Sequence, residues 1–128
     1  MINVKDQVFA ALRDIDGLGY CSDLYPGANA DFPAIQYTEE ANNVLSATDS
    51  GEGRPVEQIA YLRYRVDIWD KGSTSQMAIA VDDALSPLGL VRIECADVPD
   101  PTGLRHKQMR YECQIDVNDE MTYWMNNR

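Results

Sequence analysis

The side chains in this sequence that could carry out chemistry are one histidine, His106, three cysteines, Cys21, Cys95 and Cys113, and a surplus of carboxylates. A lone histidine removes paired-histidine metal sites and most serine–histidine–aspartate schemes within one chain. His106 lies beside Arg105 and Lys107 at the mouth of an expected hairpin, and reads as an exposed surface residue. The cysteines are odd in number and lack CxxC spacing, so they do not suggest zinc and read as buried free thiols. Among the carboxylates, Asp82 and Asp83 are neighbours on an expected helix, about 100° apart, and do not converge on one point. Glu39 and Glu40 lead into a loop, while Asp97, Asp100, Asp116, Asp119 and Glu120 are scattered at strand ends. None follows the alternating oxygen-ligand pattern of a calcium loop. No GxGxxG follows a strand and there is no Walker A motif. Gly51-Glu52-Gly53 is flexible but acidic, which makes a poor anion cradle. The sequence therefore predicts no catalytic, cofactor-binding or metal-ligating residue.

The 128 residues carry 21 acids against 11 bases, a formal net charge of −10. A surface that grips a duplex needs clustered Lys and Arg to displace counterions from the phosphates, so this balance argues against tight DNA binding. It is compatible with simple solubility, or with an acidic wall that lets DNA slide past. Met1-Ile2-Asn3-Val4-Lys5-Asp6 has neither a basic leader nor an apolar core, so a secretory signal is not expected. No apolar run approaches the length of about 18 residues that a membrane helix needs. The length suits one domain made in a reducing compartment.

The elements that must position these groups can be read from periodicity. Val4, Val8, Ala11, Leu12 and Ile15 recur at helical spacing, with Asn3 as N-cap and Gly17 and Gly19 as the stop. Residues 20–32 read as loop, and 33–38 as a short strand with Ile35 and Tyr37 on one face. From 42 to 55 the pattern disappears into polar residues, which predicts a long flexible loop. Over 61–69, Leu62, Tyr64, Val66 and Ile68 alternate with Arg63, Arg65 and Asp67, giving a strand with one face on a core. Ser73 and Gln76 have capping-box spacing ahead of a second helix carrying Met77, Val81, Ala84, Leu85 and Leu88, ended by Pro87. Val91, Ile93 and Cys95, then Met109, Tyr111, Cys113, Ile115 and Val117, form two strands joined by Pro99-Asp100-Pro101-Thr102-Gly103. Charge pairing selects a register with Arg92 opposite Glu112 and Glu94 opposite Arg110. That register sets Ile93 against Tyr111 and Val91 against Cys113 on the helix-covered face. The predicted fold is a single α+β domain over 1–128: two helices on one face of a mainly antiparallel four-stranded sheet, with a C-terminal extension over 118–128.

What remains is interaction surface. An outward face of mixed sign carries Arg63, Arg65, Asp67, Arg92, Glu94, Arg110, Glu112 and Asp116, and is either solvated or a polar wall against a neighbour. Tyr123, Trp124 and Met125 follow the last strand; aromatic residues and Met are enriched in interface cores. Against that stands a fold-back of the segment onto its own core. With Glu52 and Arg54 of the long loop, these residues are the candidate protein contacts.

The order of these features resembles the tail-terminator and tail-completion proteins of long-tailed bacteriophages. The likeness runs through the glycine-closed first helix, Tyr25-Pro26, Phe32-Pro33-Ala34-Ile35-Gln36-Tyr37, the long loop, and Tyr64-Arg65-Val66-Asp67-Ile68-Trp69. It continues through Ala80-Val81-Asp82-Asp83-Ala84-Leu85, Leu88-Gly89-Leu90 and the final hairpin. The C-terminal aromatic segment has no counterpart in that pattern. The resemblance implies a homo-hexameric ring that caps the tail tube, ends its polymerisation and forms the surface that joins the head. It implies contacts with the tube protein and a head-completion or connector protein, and DNA passing through the channel without specific binding. It implies no cofactor, no enzymatic activity and no membrane, and a place in the virion after assembly in the host cytoplasm. The other readings are a different head-to-tail connector or neck protein, a small α+β enzyme or ligand-binding domain, or an adaptor that takes a peptide at a sheet edge.

Overall fold

A computed structural model describes residues 1–27, 29–49, 55–116 and 121–123. Two helices, α1 (Lys5–Arg13) and α2 (Ser75–Leu85), cover one face of a mixed sheet. Its strands are β1 (Tyr20–Ser22), β2 (Ala34–Asp49), β3 (Pro55–Asp70), β4 (Val91–Val98), β5 (Arg105–Asp116) and β6 (Met121–Tyr123). The order is β1-β2-β3-β5-β4, with β6 also on β5. The α+β class and the two helices agree with the sequence, but the sheet is larger than the expected four antiparallel strands. Tyr20–Ser22, expected as loop, adds a parallel edge strand on β2, with Tyr20 opposite Ala34.

The core follows the alternation. Leu62, Tyr64, Val66 and Ile68 of β3 and Met109, Tyr111, Cys113 and Ile115 of β5 all point to the helix side and are buried. Val8 and Leu12 of α1, and Met77, Ala78, Val81 and Leu85 of α2, close over them in the same cluster. Asn3 accepts the Lys5 backbone N–H at 3.0 Å, so it caps α1 from one position before Val4, the N-cap. The capping box at α2 does not form: Thr74 is the N-cap, and Ser73 Oγ instead accepts the Ser75 N–H at 3.2 Å. A 3-10 turn (Ser86–Leu88) follows α2, and Gly89, at φ 84°, supplies the left-handed residue that reverses the chain.

The structure corrects further expectations about the strands and the cysteines. Of the stretch 42–55, expected as a loop, residues 42–49 and 55 are strand. Residues 42–49 continue β2 and pair with β3 as far as Asp49 opposite Pro55; residues 50–54 lie outside the described residues. Polar residues form strand here because a two-stranded ribbon needs backbone pairing and no buried side-chain face. The hairpin register is corrected by one bulge. Glu94 does face Arg110, but β4 slips between Arg92 and Glu94, so Arg92 meets Tyr111 and Val91 meets Glu112. Ile93 is turned out, 44% exposed, rather than buried under the helices. Arg92 reaches Asp82 of α2 at 3.7 Å instead of Glu112. Cys95 lies opposite Met109. Cys113 is buried, but Cys21 is half-buried and Cys95 exposed, so burial holds for one thiol of the three.

Candidate functional site

The face of the sheet away from the helices holds the densest polar network. It begins with a bulge in β2: Glu39 pairs Tyr64 and Ala41 pairs Arg63, leaving Glu40 as the extra residue. Arg65 and Arg110 are directly opposite on β3 and β5, an arrangement of like charges that is unfavourable unless bridged. Glu40 is the bridge. Its carboxylate accepts from Arg63 Nε at 3.1 Å and Arg110 Nε at 3.0 Å, and lies 3.6 Å from Arg65 Nη1. Arg110 also donates to Glu94 at 3.1 Å and to the Gln108 side-chain oxygen at 3.0 Å. The Glu40 carboxylate holds the Arg110 guanidinium even further above neutrality than usual.

Farther along β3 the network goes under cover. Asp67, expected on the open face, is 2% exposed. It accepts from Arg65 Nε at 2.9 Å and Gln108 Nε2 at 3.1 Å, and contacts His106 Nε2 at 2.7 Å. His106 is opposite Trp69 in the β3–β5 register, and the two rings stack with centroids 4.5 Å apart. The expectation of an exposed His106 is therefore corrected: its side chain retains 11% exposure. Trp69 Nε1 donates to Asp100 Oδ2 at 2.8 Å, and His106 Nδ1 lies 3.9 Å from the same oxygen. Hydrogen bonds from the Thr102 hydroxyl and backbone N–H, with that from Trp69, hold the Asp100 carboxyl below the usual carboxylate range. Gly103, at φ 83°, closes this turn, donating its N–H to the Asp100 carbonyl at 3.1 Å. Tyr25 meets Trp69 edge-on at 5.3 Å, and Tyr25, Pro26, Phe32, Trp69 and Leu104 line a cleft of about 460 Å3.

This arrangement is a clamp. Nε2 of His106 is held by Asp67 at 2.7 Å and Nδ1 lies 3.9 Å from Asp100, and no hydroxyl or thiol hydrogen-bonds the ring among the described residues. The nearby Thr102 hydroxyl is bonded to Asp100. No cluster of three or more metal-ligating side chains occurs among the described residues. What the clamp does is fasten the turn Pro99-Asp100-Pro101-Thr102-Gly103 and the segment around Tyr25 onto the sheet, leaving Leu24 and Tyr25 69% and 62% exposed. Sequence reasoning missed the cluster, although Trp69 was the signal. A large aromatic with the parity of Arg65 and Asp67 marks a second buried zone on the outer face.

The opposite end of the sheet is built differently. Toward the start of β3, pairing with β5 is described from Ile59 opposite Asp116, and Pro55, Val56 and Glu57 before it pair with β2. Among the described residues, 46–49 and 55–57 form a β2–β3 ribbon, with Val44 and Leu45 at its base 56% and 50% exposed. Of the predicted contact residues, Tyr123 lies on β6 opposite Gln114, while Glu52, Arg54, Trp124 and Met125 lie outside the described residues. On the helix side a second cleft, of about 470 Å3, opens between the start of α1 and the 3-10 turn.

No family model matches the chain, and no curated protein is significantly similar to it in sequence.

Proposed function

We propose that this chain is a structural subunit of a bacteriophage tail that caps the tail tube as a homo-hexameric ring. In that position it ends tube polymerisation and presents the surface that joins the filled head. The observation that carries this reading is the β2–β3 ribbon with its exposed Val44 and Leu45. Large apolar side chains standing in solvent beside each other gain most from packing on a neighbour. The ribbon lies at one end of the sheet, while the aromatic cleft of Tyr25 and Trp69 lies at the other end of the same strands. Contacts between unlike patches of identical subunits are head-to-tail, and such contacts close into rings when the rotation permits. The paired carboxylates and guanidiniums of the outer face suit a wall against a neighbour or a channel better than a reaction site. The acidic balance lets DNA pass without being held. The partners on this reading are other copies of the chain, the tail tube protein and a head-completion or connector protein, all within the virion.

The test is assembly with tube protein, followed by sedimentation and electron microscopy. Rings on the tube ends and tubes of bounded length are expected. A chain that stays monomeric at every concentration, and leaves tube growth unchanged, overturns the reading. The helix-side cleft favours a small-ligand-binding domain as the second reading. A bound metabolite retained by the purified monomer would decide for it.

A further inference from the structure

We infer that β4 is an edge through which two copies of the chain pair, antiparallel, about a two-fold axis at Cys95. The sheet ends in β1 on one side and β4 on the other. β1 has three residues, whereas β4 has eight, and among the described residues no strand lies against its far side. Arg92 to Asp97 are all exposed, so neither face of the strand is covered. Such an edge offers a row of unpaired backbone N–H and C=O groups, and β4 contains neither the lysine nor the proline that often blocks one. It does contain a bulge, at Ile93, and the bulge decides which residues can meet.

Directly paired residues project to the same side of a sheet. Arg92 is opposite Tyr111, Cys95 opposite Met109 and Asp97 opposite Lys107, so these three project to the helix side. Val91, Glu94, Ala96 and Val98 are opposite Glu112, Arg110, Gln108 and His106, and project to the outer face. With Ile93 left out of the ladder, the sides alternate symmetrically about Cys95. An antiparallel second copy therefore sets Cys95 opposite Cys95, Glu94 opposite Ala96, Arg92 opposite Asp97 and Val91 opposite Val98, each pair on one face. In an unbulged strand Arg92 and Asp97 would project to opposite faces. Charge then selects this register, because both Arg92–Asp97 pairs join opposite signs. An axis at Glu94 would set two carboxylates against each other, and an axis at Ala96 would leave Arg92 outside the ladder. Within one chain Arg92 lies 3.7 Å from Asp82 and Asp97 holds Lys107 at 2.9 Å. The Arg92 and Asp97 side chains nevertheless keep 50% and 80% exposure, so each has a free side to turn outward. Ile79 of α2, 57% exposed, lines a shallow cleft with Arg92 and Cys95, and the axis brings two such clefts side by side. The pairing is lateral and the proposed ring uses the strand ends, so neither depends on the other.

Charge reversal and mixing test this, with sedimentation as the readout and circular dichroism confirming that each variant folds. The natural chain is expected to form a dimer as its concentration rises. Arg92→Asp and Asp97→Arg each set like charges opposite one another, and each should weaken the dimer about tenfold or more. Mixed in equal amounts, the two variants restore both opposite-charge pairs and should form a mixed dimer that neither forms alone. Diamide, which takes two electrons and two protons from a pair of thiols, should link the natural dimer through Cys95. Directly opposed Cα atoms lie about 4.5–5.5 Å apart, within the span of a disulfide. Cys95→Ser should abolish that link. A natural chain that stays monomeric overturns the proposal. So does a dimer that both reversals leave unchanged, a mixture no tighter than its components, or a diamide link that survives in Cys95→Ser.

Discussion

Glu40 illustrates what one carboxylate does when three guanidiniums converge on it. Arg63, Arg65 and Arg110 all lie within 3.6 Å of its oxygens, and two of them are opposite each other on neighbouring strands. Exposed single pairs contribute little, but here removal of the anion leaves cations repelling one another. Glu40→Ala should lower the unfolding free energy by about 1–2 kcal/mol, with part of the loss recovered in concentrated salt. Denaturant titrations at low and high salt measure both quantities, and a loss insensitive to salt would point to the bulge rather than the charge. Cys113 gives a pH-dependent counterpart. Burial pushes its thiol up from 9.0 to about 12. Above pH 9 the unfolded chain loses this proton and the folded chain keeps it. The contribution is therefore full below pH 9 and is lost as pH rises toward 12, by about 1.4 kcal/mol per pH unit at most. Cys113→Ala should flatten that slope in urea titrations between pH 9 and 11, and alkylation of the folded chain should reach the exposed Cys95 and leave Cys113 intact. These residue-level facts were half legible in the sequence. The parity of Cys113 gave its burial, whereas Asp67 and His106 looked exposed because nothing in the chain announces that β3 and β5 are neighbours.

At the scale of elements, alternation was a good guide wherever one face meets the helices. Leu62, Tyr64, Val66 and Ile68 are all buried as their spacing requires. It failed where pairing is carried by backbone alone. Asn42 and Asn43 looked like loop residues, yet they face Leu62 and Tyr61 in the β2–β3 ladder, and Asn42 Nδ2 donates to the Ile2 carbonyl at 2.8 Å. The slip at Ile93 was equally hidden, since a bulge adds a residue without changing composition. The ribbon invites a test that separates folding from assembly. Val44 and Leu45 already stand about half in solvent, so Val44→Asp with Leu45→Asp should change monomer stability by about 1 kcal/mol or less. Ring formation and capping of tubes should be lost. Thermal melting together with sedimentation checks the pair of outcomes, and a folded double variant that still caps tubes would remove the ribbon from the interface.

For the whole molecule, charge sets how an assembly should respond to salt. Each chain carries a formal net charge of −10, and a six-membered ring would gather six such charges around one channel. Two opposing effects compete as ionic strength rises. Contacts made through ion pairs, such as those of Glu40 or Glu94 on the outer face, weaken when screened. Repulsion between whole subunits weakens as well, and it acts over distances comparable to the Debye length of about 10 Å at 0.1 M salt. The described ion pairs of the outer face are already satisfied within the chain, and the base of the ribbon exposes two large apolar side chains, Val44 and Leu45, and no charged one. Repulsion between subunits should therefore outweigh attraction between their charges, and ring formation should strengthen with salt. Sedimentation of the chain with tube protein across a range of sodium chloride concentrations measures this directly. Expected is a shift toward the ring as salt increases, levelling off near 0.5 M, where the screening length falls to about 4 Å. Dissociation with rising salt would mean that ion pairs between subunits hold the ring, and would move the interface from the ribbon to the charged face of the sheet.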